Sequence, residues 1–150
     1  MTQARYTRKS LFYTLFKLGG IPPQILPVLE TEGIELKDEG MSGWAVYRNV
    51  RGPQRRFIYK QERISSCLVI TKKRIICYTF GKRQINIETT DPRLSKINIF
   101  LKRDNKLVIS FDSSIFSDLW SGVIEFSFNT DMASDFLNRF KEFGMTETTE

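Results

Sequence analysis

Apolar residues along this chain follow two periods, and the change between them divides it. Up to about residue 33 the spacing is helical. Leu11, Leu15 and Leu18 share one face of a segment over 7–18, with Phe12 and Phe16 beside them and Arg8, Lys9 and Lys17 as its charged residues. Gly19-Gly20 ends that helix and Pro22-Pro23 forbids an immediate restart. A second short helix is expected to start near Pro27 and stop at Gly33.

From about residue 34 the period becomes two. Trp44, Val46 and Val50 alternate with Ala45 and Tyr47, and Arg51-Gly52-Pro53-Gln54 turns the chain into a run over 56–60. Ser66, Leu68 and Ile70 alternate with Cys67 and Val69, and Thr71-Lys72-Lys73 leads into a strand over 74–78. Gly81-Lys82, Asp91-Pro92 and Asp104-Asn105 mark the next turns, and Ile124, Phe126 and Phe128 form a last alternating run. Prolines fall outside all these runs, as a sheet requires. Turn signals about every eight to twelve residues predict an antiparallel β-sandwich or partly open barrel of about seven strands.

Two segments break the alternation. Residues 113–120 read as a short helical or irregular insert closed by Gly122. Residues 131–143 read as an amphipathic helix, with Met132, Phe136, Phe140 and Phe143 on one stripe. Asn129 or Thr130 can cap its start and Gly144 suits its end. The helix is expected to cover the open end of the sandwich. The expected organisation is a helical N-terminal extension over 1–33, a mainly β domain over 34–143 and a polar tail over 144–150.

Composition removes several functions. A chain of 150 residues has room for one domain, and 12 Phe, 5 Tyr and 2 Trp suffice for a sizeable core. Without histidine there is no His-based acid–base pair, no Ser-His-Asp or Cys-His nucleophile and no His-ligated metal. Cys67 and Cys77 match no metal or CxxC spacing and read as reduced core thiols. Phosphate-loop, dinucleotide and nucleophile-elbow motifs are all missing. The carboxylate pairs Glu30/Glu32 and Asp38/Glu39 read as solvated charge in an acidic linker. We expect no enzymatic activity and no cofactor or metal. With no apolar stretch long enough to span a bilayer and no signal-peptide pattern, a cytoplasmic protein is expected, with peripheral membrane association open to it.

Charge is uneven. The net +6 is distributed as +4 over 1–29, −4 over 30–40, +10 over 41–87 and −4 over 88–150. A concentrated positive field attracts phosphate, on lipid or on nucleic acid.

Several local runs carry a family likeness. Residues 66–76, Ser-Cys-Leu-Val-Ile-Thr-Lys-Lys-Arg-Ile-Ile, resemble a hairpin of GRAM and bacterial PH-like domains. The runs Gly43–Pro53 and Phe111–Gly122 are similar to a bacterial PH-like group of unassigned function. Seven or so antiparallel strands plus a C-terminal helix also resemble the pleckstrin-homology superfold. The likeness covers about residues 34–143 and implies a PH-like fold. That superfold hosts lipid binders, peptide binders and scaffolds alike.

The likeness directs attention to the first β-hairpin, where PH domains can hold phosphoinositide headgroups. Here Arg48, Arg51, Arg55, Arg56 and Lys60 are the candidate anion ligands, since guanidinium forks grip phosphate in a bidentate way. No lysine precedes the first arginine in the register of the phosphoinositide pattern. Leu11, Phe12, Leu15 and Phe16 are candidate membrane contacts of an interfacial helix. The expected function is a non-enzymatic adaptor at an anionic membrane surface, with a protein–protein scaffold of PH-like fold as the alternative and sequence-nonspecific nucleic-acid binding as a third reading. Specific nucleic-acid binding is not expected, because no recognition motif accompanies the charge. A homo-oligomer stays open.

Overall fold

The computed structural model describes residues 9–11, 13 and 18–149. The chain forms a helix α1 (Leu26–Glu32), then β1 (Ile34–Arg51), β2 (Arg56–Thr71), β3 (Arg74–Thr79) and β4 (Lys82–Glu88). A 3-10 turn (Pro92–Lys96) leads to β5 (Asn98–Arg103) and β6 (Lys106–Asp112). A second 3-10 turn (Ser113–Ile115) precedes β7 (Ser121–Asn129), helix α2 (Ala133–Glu142) and β8 (Thr146–Glu147).

The protein is mainly β with a C-terminal helix, and two details of the expected sandwich need correcting. The eight strands make one continuous curled sheet in the order β4-β3-β2-β1-β7-β6-β5-β8. Curling replaces splitting because β1 and β2 are 18 and 16 residues long, with pairing irregularities between Ile34/Leu36 and Asp38/Met41. Such irregularities bend a strand and raise its twist. The second correction concerns the residues read as a polar tail. Met145 is buried, and β8 pairs parallel with β5, so the sheet is mixed. The chain reaches that edge through a Schellman ending of α2. Gly144 N–H donates to the Lys141 carbonyl at 3.0 Å, Met145 N–H donates to that of Phe140 at 3.1 Å, and Gly144 has φ 103°.

The inner face of the half-barrel encloses the main core. Leu68, Ile75 and Ile85 from one half meet Leu107, Ile109 and Phe126 from the other. Helix α2 lies against β5 and β6 and inserts Phe136 and Phe140, both fully buried. Thr130, one of the expected caps, accepts the Met132 N–H at 3.1 Å just ahead of α2.

A second, smaller core lies on the outer face of β2 and β3, where Ile21 and Leu29 cover Cys67, Val69, Ile76 and Tyr78. Residues 21–29 are therefore packed on the sheet. Cys67 and Cys77 are free, buried and on opposite faces, since Cys67 belongs to the outer core and Cys77 to the inner one.

The acidic stretch is not a linker. Glu32, at the end of α1, is nearly buried and receives the Arg74 guanidinium in a forked contact, with Nε 2.8 and 2.9 Å from its two oxygens. Glu39 accepts the Ile21 N–H at 2.8 Å. Asp38 accepts the Thr130 hydroxyl at 2.6 Å and pairs with Lys9. These carboxylates fasten the N-terminal segment to the sheet.

Candidate functional site

Antiparallel pairing decides which charged turns share an end. The β1–β2 hairpin tip and the β6–β7 loop lie at the end of the half-barrel where Arg51 pairs with Arg56 and Ser121, whereas the β3–β4 turn meets β2 at Ser66, about ten residues along that strand. Lys82 and Arg83 belong to that β3–β4 turn, and Lys72, Lys73 and Arg74 lie at the end of the sheet opposite the hairpin tip. A groove of about 710 Å³ is lined by those three residues. Arg74 is engaged there by Glu32, and Arg93 by Asp91 at 2.7 Å.

The five hairpin candidates are not one constellation. Arg48 points to the outer face, where its guanidinium is 3.5 Å from Glu125. Asn49 has φ 53° and lies at a register shift between β1 and β7, so Val50 is buried directly beyond it. Arg51, Arg55 and Arg56 stand exposed at the tip. Lys60 faces inward, 3.6 Å from Glu62 and 4.7 Å above the Phe57 ring. Among the described residues, no carboxylate lies within ion-pair distance of Arg51, Arg55, Arg56, Lys82 or Arg83.

Behind this rim a cleft of about 560 Å³ opens into the barrel. The hairpin supplies Arg55 and Phe57, the β3–β4 turn Phe80 and Lys82, and the β6–β7 loop Phe116 and Trp120. Its walls are braced. A side chain at Gly52 would come within 2.4 Å of the Trp120 ring, so that indole lies directly on the hairpin turn. Phe116 meets Phe111 edge-on at 5.1 Å, and Arg93 donates to the Ile115 carbonyl at 2.9 Å. Inside, the Tyr47 hydroxyl donates to Glu62 at 3.1 Å. Burial first, and then the Glu62 charge, pushes the Tyr47 phenol well above its ordinary range.

The N-terminal candidates lie elsewhere. Leu11 is exposed, but Lys9 pairs with Met41 and Ser10 N–H donates to the Gly40 carbonyl at 2.7 Å. Those anchors are roughly 30 Å of extended strand from the hairpin tip. Phe12, Leu15 and Phe16 are outside the described residues.

Sequence reasoning missed the apolar part of the rim. Ile58 and Leu119 are each 71% exposed, and Tyr59 is 60% exposed. The signal was available in the strings Phe57-Ile58-Tyr59 and Leu119-Trp120, which lie next to basic or turn residues. Among the described residues, no three carboxylates or thiols converge as metal ligands. Compared with known proteins, the sequence matches no family model and no curated protein.

Proposed function

We propose that this chain is a non-enzymatic binding module that docks by its open end on an anionic membrane surface. The carrying observation is the mixed rim: exposed Ile58 and Leu119 stand with Arg51, Arg55 and Arg56, none of which has an acidic partner among the described residues. Apolar side chains alone bind a bilayer weakly, and a basic cluster adds about 1 kcal/mol per cation near an anionic surface. Together they make the two signals that stable peripheral attachment needs. Seven consecutive antiparallel strands followed by a packed helix support the likeness to the pleckstrin-homology superfold, here with an added parallel edge strand.

The test is vesicle co-sedimentation. The protein should pellet with phosphatidylserine-containing vesicles at low salt, and weakly with phosphatidylcholine alone. Changing Arg51, Arg55 and Arg56 together to Ala removes about 3 kcal/mol, a loss of about a hundredfold or more in affinity. Ile58→Ser/Leu119→Ser should also weaken binding, with less dependence on salt. If the intact protein stays in the supernatant with anionic vesicles at low salt, the proposal fails and a protein partner becomes the better reading of this surface.

A further inference from the structure

We propose that the cleft at the open end takes up a single anionic amphiphile, its head drawn by the positive field of Arg55 and Lys82 on the cleft wall and its apolar body among Phe57, Phe80, Phe116 and Trp120. The ligand is one molecule held inside the half-barrel, which is a different claim from attachment to a bilayer surface.

The size and lining fit such a ligand. About 560 Å³ lies within the range of small-molecule sites, and aromatic rings dominate the named walls. The rings are held apart, since Trp120 rests on Gly52 and Phe116 on Phe111. Phe80 adds an independent sign. It has φ 49° in a two-residue turn with Gly81 at φ 78°. Asn, Asp or Gly enter that conformation readily, whereas a bulky residue there is a strained outlier. A phenylalanine at this position places a ring on the cleft wall at the expense of the turn.

The charge selects an anion. Arg55, Lys60 and Lys82 line the cleft with one carboxylate, Glu62. Lys60 is engaged by Glu62 and the Phe57 ring, which leaves Arg55 and Lys82 as the lining cations without an acidic partner among the described residues. A carboxylate, sulfate or phosphate head supplies the complementary charge.

The test uses Trp44→Phe protein, in which Trp120 is the only tryptophan. Its emission is followed while monomeric laurate, dodecyl phosphate, dodecyltrimethylammonium or inorganic phosphate is added. Laurate and dodecyl phosphate should give saturable one-site changes. The cationic surfactant and inorganic phosphate should give none at the same concentrations. Arg55→Ala/Lys82→Ala should weaken laurate binding about tenfold or more. Phe80→Gly relieves the turn while removing the ring, so it should weaken binding in a protein that still melts cooperatively. The proposal is overturned by absence of saturation, by equal response to the cationic surfactant, or by laurate affinity unchanged in both variants. Saturation by inorganic phosphate alone would also overturn it, as a free-phosphate site. Ile58→Ser/Leu119→Ser separates the two readings, because neither residue lines the cleft. It should lose vesicles and keep laurate. Vesicle docking without laurate uptake sinks the cleft proposal only, and the reverse result sinks the membrane proposal only.

Discussion

Replacing Phe136 by Ala tests the packing of α2 against the main core. Phe136 and Phe140 are both 0% exposed, and their rings stack at 6.0 Å with 27° between planes. A buried Phe→Ala change costs about 3–5 kcal/mol, from lost transfer energy plus the cavity left behind. The upper part of that range is expected, because α2 is held at both ends and cannot easily settle into the gap. Thr130 fixes the approach to α2, and the Gly144 ending leads straight into β8. With a urea slope of about 2 kcal/mol per molar, the midpoint should fall by about 2 M. Phe136→Ala/Phe140→Ala should cost less than the sum of the single changes, since each ring stacks on the other. Phe143→Ala is the internal control. That ring is only partly buried, under the Arg139 guanidinium at 4.8 Å, and should cost about 1 kcal/mol. Urea denaturation followed by far-ultraviolet circular dichroism measures all four. If the Phe136 and Phe140 variants each lose no more than the Phe143 control, α2 does not plug the barrel and the reasoning fails.

Three other outcomes follow from particular contacts. Gly43→Ala would place a methyl group 1.8 Å from the Ser127 carbonyl oxygen, so β1 and β7 must part; we expect a loss of about 3 kcal/mol or more, and a midpoint equal to wild type would refute the close approach. Burial pushes the Cys67 thiol up to about 12 from 9.0 and raises that of Cys77 as well, so a thiol reagent at pH 8 should label neither in native protein and both in urea. Because the folded-state values lie above the unfolded ones, the unfolded chain gives up these protons first, and stability should be level below about pH 9 and decline above it; rapid native labelling, or stability rising above that pH, would contradict this. Arg56→Glu should stabilise the β1–β2 hairpin by about 0.5 kcal/mol while weakening anionic-vesicle binding, and a variant that binds as wild type would remove the hairpin from the docking surface.

Local features were the ones legible in the chain. Period-two runs and their turns located β1 to β7, because each strand presents one face to a core and the turn residues interrupt it. The stripe through Phe136 and Phe140 located α2 for the same reason. β8 was hidden, since two threonine- and glutamate-containing residues on an edge carry no alternation, and their pairing depends on where Gly144 aims the chain. The acidic segment misled because charge was read without partners. Glu32 has no local reason to be buried, and only the β2–β3 turn brings Arg74 to it across the sheet. At the candidate site, sequence named the hairpin cations but not their directions. Arg48 alternates outward with Trp44 and Val46 toward Glu125, the shift at Asn49 follows it, and Lys60 turns inward to Glu62. Lys82 needed the curl of the sheet before it could be placed on the wall of the cleft that Arg55 also lines.

Several cations away from the mouth are matched: Lys9 with Asp38, Arg74 with Glu32, Arg93 with Asp91, Arg139 with Glu35 and Lys141 with Glu147. Exposed pairs of this kind each contribute little to stability, but they cancel the local field. At the mouth the arrangement is reversed. Arg51 and Arg56 are direct cross-strand partners on the last rung of the hairpin, and like charges directly opposite destabilise a ladder. Arg55 adjoins them. Folding alone would favour an acid at one of these positions. Ile58 and Leu119 are likewise left in water when the same sheet buries comparable side chains elsewhere. Both departures fall on the same end, and both lose their penalty when that end meets an anionic, partly apolar surface. Contact with such a surface screens the arginines with opposite charge and removes the two apolar side chains from water in one step.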